Sequence, residues 1–164
     1  MGTGEARETD AGGLPPNGTG SGSLAEIGGL GQLAEIVRER GNAYLRHSLG
    51  PEADRHQRSR DYESGLELPG LSVVPLSPPE WWHRPLGDWL ARQICKYAHL
   101  TEGDNRRFPW ILTGEVSGQG PDQEPLITGV RPLGRLGEQV LAEARRRYQE
   151  HFDAGRDSRG EGGA

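Results

Sequence analysis

The sequence predicts an α+β fold: one small domain of short strands, including a hairpin near 110–130, and about three packed helices between disordered termini. Two observations predict it. Hydrophobic periods of helix and strand type follow one another in the order helix, strand, strand, helix, strand, strand, helix. Glycine is crowded at the ends of the 164-residue chain, where ten of 26 glycines precede Gln32 and four follow Ala154. The stretch between has the length of one ordinary domain and no room for two.

Residues 1–22 and 155–164 are Gly-rich and poor in large apolar groups, so they are expected to be disordered tails flanking a domain over 23–154. Ser23 and Glu26 have capping-box spacing, but Gly28, Gly29 and Gly31 each weaken a helix there. A surer helix runs from about Leu30 to Arg40, with Leu30, Leu33 and Val37 on its apolar side and Gly41 placed to end it. Residues 43–48 read as a short strand stopped by Gly50-Pro51, and the polar stretch 52–67 reads as a loop. Leu68-Pro69-Gly70 is turn chemistry, and Leu71-Ser72-Val73-Val74 reads as a second strand.

Ser77-Pro78-Pro79-Glu80 combines an N-cap hydroxyl, Pro at N1 and Glu at N3, which predicts a helix start. Pro85 and Gly87 divide that helix into a short piece bearing Trp81 and Trp82 and a longer amphipathic one. The longer piece presents Leu86, Trp89, Leu90, Ile94, Tyr97 and Leu100. Residues 110–116 and 124–130 predict two strands of a hairpin, joined by a turn-rich 117–123. Gly134 and Gly137 lead into a last helix carrying Leu136, Val140, Leu141, Ala144, Tyr148 and Phe152.

Composition narrows the function. The net charge is -5, and 32–154 holds 16 basic against 18 acidic residues, so the basic excess of a nucleic-acid binder is missing. No apolar run is long enough to cross a bilayer and no secretory segment opens the chain, so a soluble cytoplasmic protein without a membrane partner is expected. Cys95 is the only cysteine, which excludes an internal disulfide framework, and it is expected to pack as a small buried residue. The five histidines have no metal-motif spacing, so no metal site is expected. Gly114-Glu115-Val116-Ser117-Gly118 does not open a helix after a strand, which excludes a phosphate loop.

Trp81 and Trp82 are adjacent and diverge on a helix, so either both tuck into the core margin or one fills the core and the other lines a groove or partner surface. Asp122 and Glu124 lie two apart in an extended segment, where their carboxylates share a face and can converge on one ligand. The favoured reading is a module that binds a protein partner or small molecule, without a cofactor. Its expected face joins Arg46, Trp82 and the 117–124 loop, with Trp82, Arg84 and Asp122 as ligand or partner surface.

Several segments together resemble a small uncharacterised family of high-GC bacteria, catalogued only as a domain of unknown function. They are Tyr44-Leu45-Arg46-His47-Ser48-Leu49-Gly50-Pro51, Leu68-Pro69-Gly70-Leu71-Ser72, Trp81-Trp82-His83-Arg84-Pro85, Trp89-Leu90-Ala91-Arg92, Pro109-Trp110-Ile111-Leu112-Thr113-Gly114 and Gly120-Pro121-Asp122-Gln123-Glu124-Pro125. The family pattern often has Trp where this chain has His47, Arg at Leu49 and Asn at Gln123. The resemblance implies membership and no activity.

A fainter resemblance implies chemistry. Arg46 on a first strand, Ser72 on a second and Glu124 at the start of a late strand are similar in order to the motifs of ADP-ribosyltransferases. That resemblance implies an alternative, an NAD-dependent transferase with Arg46, Ser72 and Glu124 as catalytic residues. Arg46 would hold the NAD phosphates, Ser72 would support the nicotinamide ribose, and Glu124 would polarise the ribose hydroxyl.

Overall fold

A computed structural model describes residues 24–98 and 105–152 of the chain. The segments 1–22 and 155–164, with His99 and Leu100, lie outside those described residues. Leu30, Leu33, Ala34 and Val37 form the buried side of α1 (Leu30–Arg40). Gly41 ends α1 in the left-handed conformation at φ 68°, donating its N–H to the Val37 carbonyl, as its position predicts. β2 (Tyr44–Ser48) follows, and a 12-residue helix, α3 (Leu86–Tyr97), carries the predicted amphipathic face. The hairpin forms and is longer than its sequence signals, with β5 (Phe108–Gln119) pairing antiparallel to β6 (Pro125–Leu136). α4 (Glu138–Phe152) completes the described chain.

Three local expectations give way to tertiary structure. Ser23 lies outside the described residues, and Glu26–Ile27 is β1, running parallel to Arg135–Leu136 of β6. The 52–67 stretch is not all loop, because Pro51–His56 forms α2, with Pro51 at its start and Glu52 and Asp54 in its first turn. The strand expected at 71–74 is broken at Val73 into β3 (Leu71–Ser72) and β4 (Val74–Pro75). Ser77-Pro78-Pro79-Glu80 makes only a turn, in which the Trp82 N–H bonds the Pro79 carbonyl. The Ser77 hydroxyl, expected to cap a helix, donates instead to the Gly41 carbonyl.

The break at Val73 shapes the sheet. Its order is β1-β6-β5-β2-β4, with β3 pairing β6 off that path. Residues 71–75 therefore bond β6 through their first half and β2 through their second, so the sheet curls until its two sides meet. Register shifts along β5–β6 supply the curvature. At Gly114 a Cβ would lie 2.5 Å from Ile127 Cγ2 and 2.7 Å from the Thr128 carbonyl, so any side chain at this bulge forces its neighbours to shift.

Strand alternation splits the core in two. Leu45, Ile111 and Leu136 face α1, α3 and α4, where they pack with Leu33, Leu90, Ile94 and Val140. Leu71, Val73, Phe108, Trp110, Leu112 and Ile127 fill the inside of the curl. Among the described residues the fold is thus α+β, four helices and a curled mixed sheet, with α2 burying none of its residues. No helix among them is long and apolar enough to cross a membrane.

Candidate functional site

β2 turns directly into α2 through Gly50, whose φ of 113° only glycine adopts readily and where a Cβ would press on the Phe108 ring. This tight return sets Asp54 against Arg46, eight residues earlier. The pair is bidentate, with Nε 2.8 Å from Oδ2 and Nη2 3.1 Å from Oδ1, and both side chains are largely buried. Ser48 supports it, donating to Asp54 at 2.5 Å while accepting the buried Trp110 indole N–H at 2.9 Å. The third guanidinium nitrogen, Nη1, donates to the Ser72 carbonyl at 2.8 Å.

Arg46, Ser72 and Glu124 are therefore linked, but through different atoms of Ser72. Arg46 meets its carbonyl, whereas its hydroxyl donates to Glu124 Oε1 at 3.0 Å. The other Glu124 oxygen accepts the Asp122 N–H at 2.9 Å, which folds the carboxylate back over Gly120 and ties the hairpin end to β3. Asp122 itself is exposed, and it contributes its backbone rather than its carboxylate. Arg46 enters this chain with its charge already balanced by Asp54.

Trp82 and Arg84 belong to another neighbourhood. Trp82 packs on the helix side of the core, edge-on to Trp89 at 5.2 Å and stacked with Phe152 at 6.5 Å. Its neighbour Trp81 is the exposed one of the two, at 66%. Arg84 lies over the Phe152 ring at 4.3 Å and reaches the carboxylate of Asp88. Asp88 is 2% exposed and gathers two guanidinium groups and an imidazole, Arg84 at 2.9 Å, Arg147 at 2.7 Å and His151 at 2.6 Å. Burial would raise its pKa, but hydrogen bonds from Arg147, His151 and Arg84 outweigh burial and hold it below the usual carboxylate value. The i, i+4 spacing of Arg84 and Asp88 was the sequence signal for this cluster.

A groove of about 490 Å³ opens beside the Arg46–Asp54 pair. One wall is α2 and the segment behind it, with Pro51, Asp54, Arg55 and Arg58; the other is the Thr128–Pro132 stretch of β6. Leu68, Leu71 and Ile127 supply apolar lining. The β6 wall exists because β3 pairs only with Leu126–Ile127 and β1 only with Arg135–Leu136, leaving 128–132 exposed between them. Pro132 and the neighbouring bulge blunt this bare edge against further strand pairing. Of the groove residues, Asp54 and Arg55 were expected in a loop, since six residues are too few for a helical period; Pro51 at the start and the acids of the first turn were the local signal for α2.

Cys95 is half-buried, and burial raises its thiol pKa against a lowering by Arg145, so the thiol is not activated. No cluster of three metal-ligating side chains occurs among the described residues.

The fold and groove define a small α+β domain with α1, α3 and α4 on one face of a curled sheet and a ligand-sized opening between α2 and the sheet's unpaired edge. The chain belongs to the family of unknown function DUF6098, which it matches over residues 20–160. No match was found among curated proteins or among solved structures.

Proposed function

We propose that this domain is a ligand-binding module and that the groove between α2 and the bare middle of β6 is its binding site. One observation carries the reading. A ligand-sized concavity of about 490 Å³ combines apolar side chains with a few fixed polar groups, the composition of small-molecule sites. Its wall is held by the Arg46–Asp54–Ser48–Trp110 network, which sets α2 on the sheet before any ligand arrives. Arg46 is in this reading a positioning residue.

Titration of the 15N-labelled protein with a library of neutral and charged fragments tests it. The expected result is saturable shifts at Leu71, Thr128 and Val130, lost in Thr128→Trp, which fills the groove from an exposed position. Fragments that bind elsewhere, or bind Thr128→Trp equally well, overturn it.

A second reading, the NAD-dependent transferase, is favoured by the continuous link from Arg46 through Ser72 to Glu124. In it the NAD pyrophosphate would displace Asp54 from Arg46. The test is nicotinamide release from NAD by the wild-type chain and by Glu124→Gln, with folding of both checked by circular dichroism. Release that Glu124→Gln abolishes supports the transferase; no release with wild type ends it.

A further inference from the structure

Resting on the groove as binding site, we infer that its ligand is an amphiphilic anion, an apolar body carrying one carboxylate or phosphate head. The lining divides by chemistry along the groove. Leu68, Leu71, Ile127 and Val130 offer apolar contact, whereas Arg55 and Arg58 line the α2 side. These two charges are uncommitted in energetic terms. Arg55 meets Glu52 at 3.6 Å and Arg58 meets Glu67 at 4.0 Å, and all four side chains are more than half exposed. Such long, solvated pairs are worth little and give way readily to a better acceptor.

The acid in the lining does not oppose an anion. Both Asp54 oxygens are bound by Arg46, one of them also by Ser48, so this carboxylate is balanced from behind. The charge left to face a ligand is that of Arg55 and Arg58. Guanidinium is suited to both candidate heads, because its planar fork matches carboxylate and phosphate oxygens alike. An uncharged or cationic ligand of the same size would fill the apolar part and leave the arginine side unused.

Calorimetric titration of the full chain with octanoate, octyl phosphate, octanol and octyltrimethylammonium tests the inference, all below micelle-forming concentrations. Octanoate or octyl phosphate is expected to bind at least tenfold more tightly than octanol and the cation, and the tighter anion identifies the head. Arg55→Glu/Arg58→Glu, both at exposed positions, is expected to lower anion affinity at least tenfold and to favour the cation. Amide shifts of the wild type should locate the bound anion at Leu71 and Thr128. Octanol or the cation binding as tightly as both anions overturns the inference, as does a ranking unchanged by charge reversal. Neutral fragments bound in the groove under either result leave the binding site standing and remove only its preference for anions.

Discussion

Gln123 sits at φ 64°, the one described non-glycine residue in the left-handed region. A side chain there crowds the following carbonyl, and Asn tolerates the conformation better because its short amide bonds locally. Gln123→Asn is expected to stabilise the domain by about 0.5–1 kcal/mol, since left-handed backbone costs a residue roughly 1–2 kcal/mol and Asn recovers part of it. Thermal denaturation measures it, and an unchanged or lower Tm contradicts the account. Arg46 is the opposite case, a residue held by everything around it. Arg46→Ala leaves the largely buried Asp54 with Ser48 but no cation and takes the guanidinium donor from the Ser72 carbonyl, so a loss of about 2–4 kcal/mol is expected. Urea unfolding should register this as a lower midpoint at constant slope. A midpoint unmoved by the substitution would mean that solvent replaces Arg46 freely.

Among the elements, α3 joins the two halves of the helix layer. Trp89 and Ile94 are 7% and 2% exposed, both on its buried side. The Trp89 ring also meets Trp82 edge-on, and Arg92 lies over it at 5.5 Å. Trp89→Ala removes a large buried side chain from a core that closes around it only in part, at a cost of about 3–5 kcal/mol. That is a large share of a small domain's stability. Near-ultraviolet circular dichroism on heating checks it, and a Tm within a degree or two of wild type refutes the packing. The β5–β6 hairpin is limited instead by backbone approach. Gly114→Ala forces a methyl against Ile127 and the Thr128 carbonyl, so it should cost roughly 1–3 kcal/mol as overpacking. Faster amide exchange at Thr128 and Gly129 than elsewhere in β6 should accompany the loss.

The molecule as a whole is tied across its helix layer by Asp88, which joins the start of α3 to the last turns of α4 through Arg147 and His151. Its folded pKa lies below its ordinary 3.8, so the carboxylate binds protons less readily folded than unfolded. The stability it contributes is therefore complete above the ordinary value and drains away as pH falls through the folded one. Wild type should lose stability with acid more steeply than Asp88→Asn between about pH 4 and pH 2, the carboxylate range. At neutral pH the same variant should be less stable by about 2–3 kcal/mol, because Arg84 and Arg147 lose a buried counter-charge while both keep some contact with water. Parallel acid-unfolding curves for the two proteins would show that Asp88 does not titrate across folding.

How much of this was legible in the sequence follows from the range of the forces involved. α1, α3, α4 and the hairpin were legible because their signals lie within each segment: apolar residues at helical spacing, Gly41 as a stop, a turn-rich 117–123 between apolar runs. Ser77-Pro78-Pro79-Glu80 misleads for the converse reason, since Gly41 lies 36 residues away and takes the Ser77 hydroxyl that the local pattern assigns to a cap. The sequence determined which residues would be apolar, where helices end and where the hairpin turns, because backbone and side-chain preferences are properties of neighbours in the chain. Only the tertiary structure decided that residues 71–75 divide between β6 and β2, that α2 forms, and that Arg55 and Arg58 face Leu71 and Ile127 across a groove. Those outcomes depend on contacts between distant segments, whose strength appears only when the sheet has curled and buried them together.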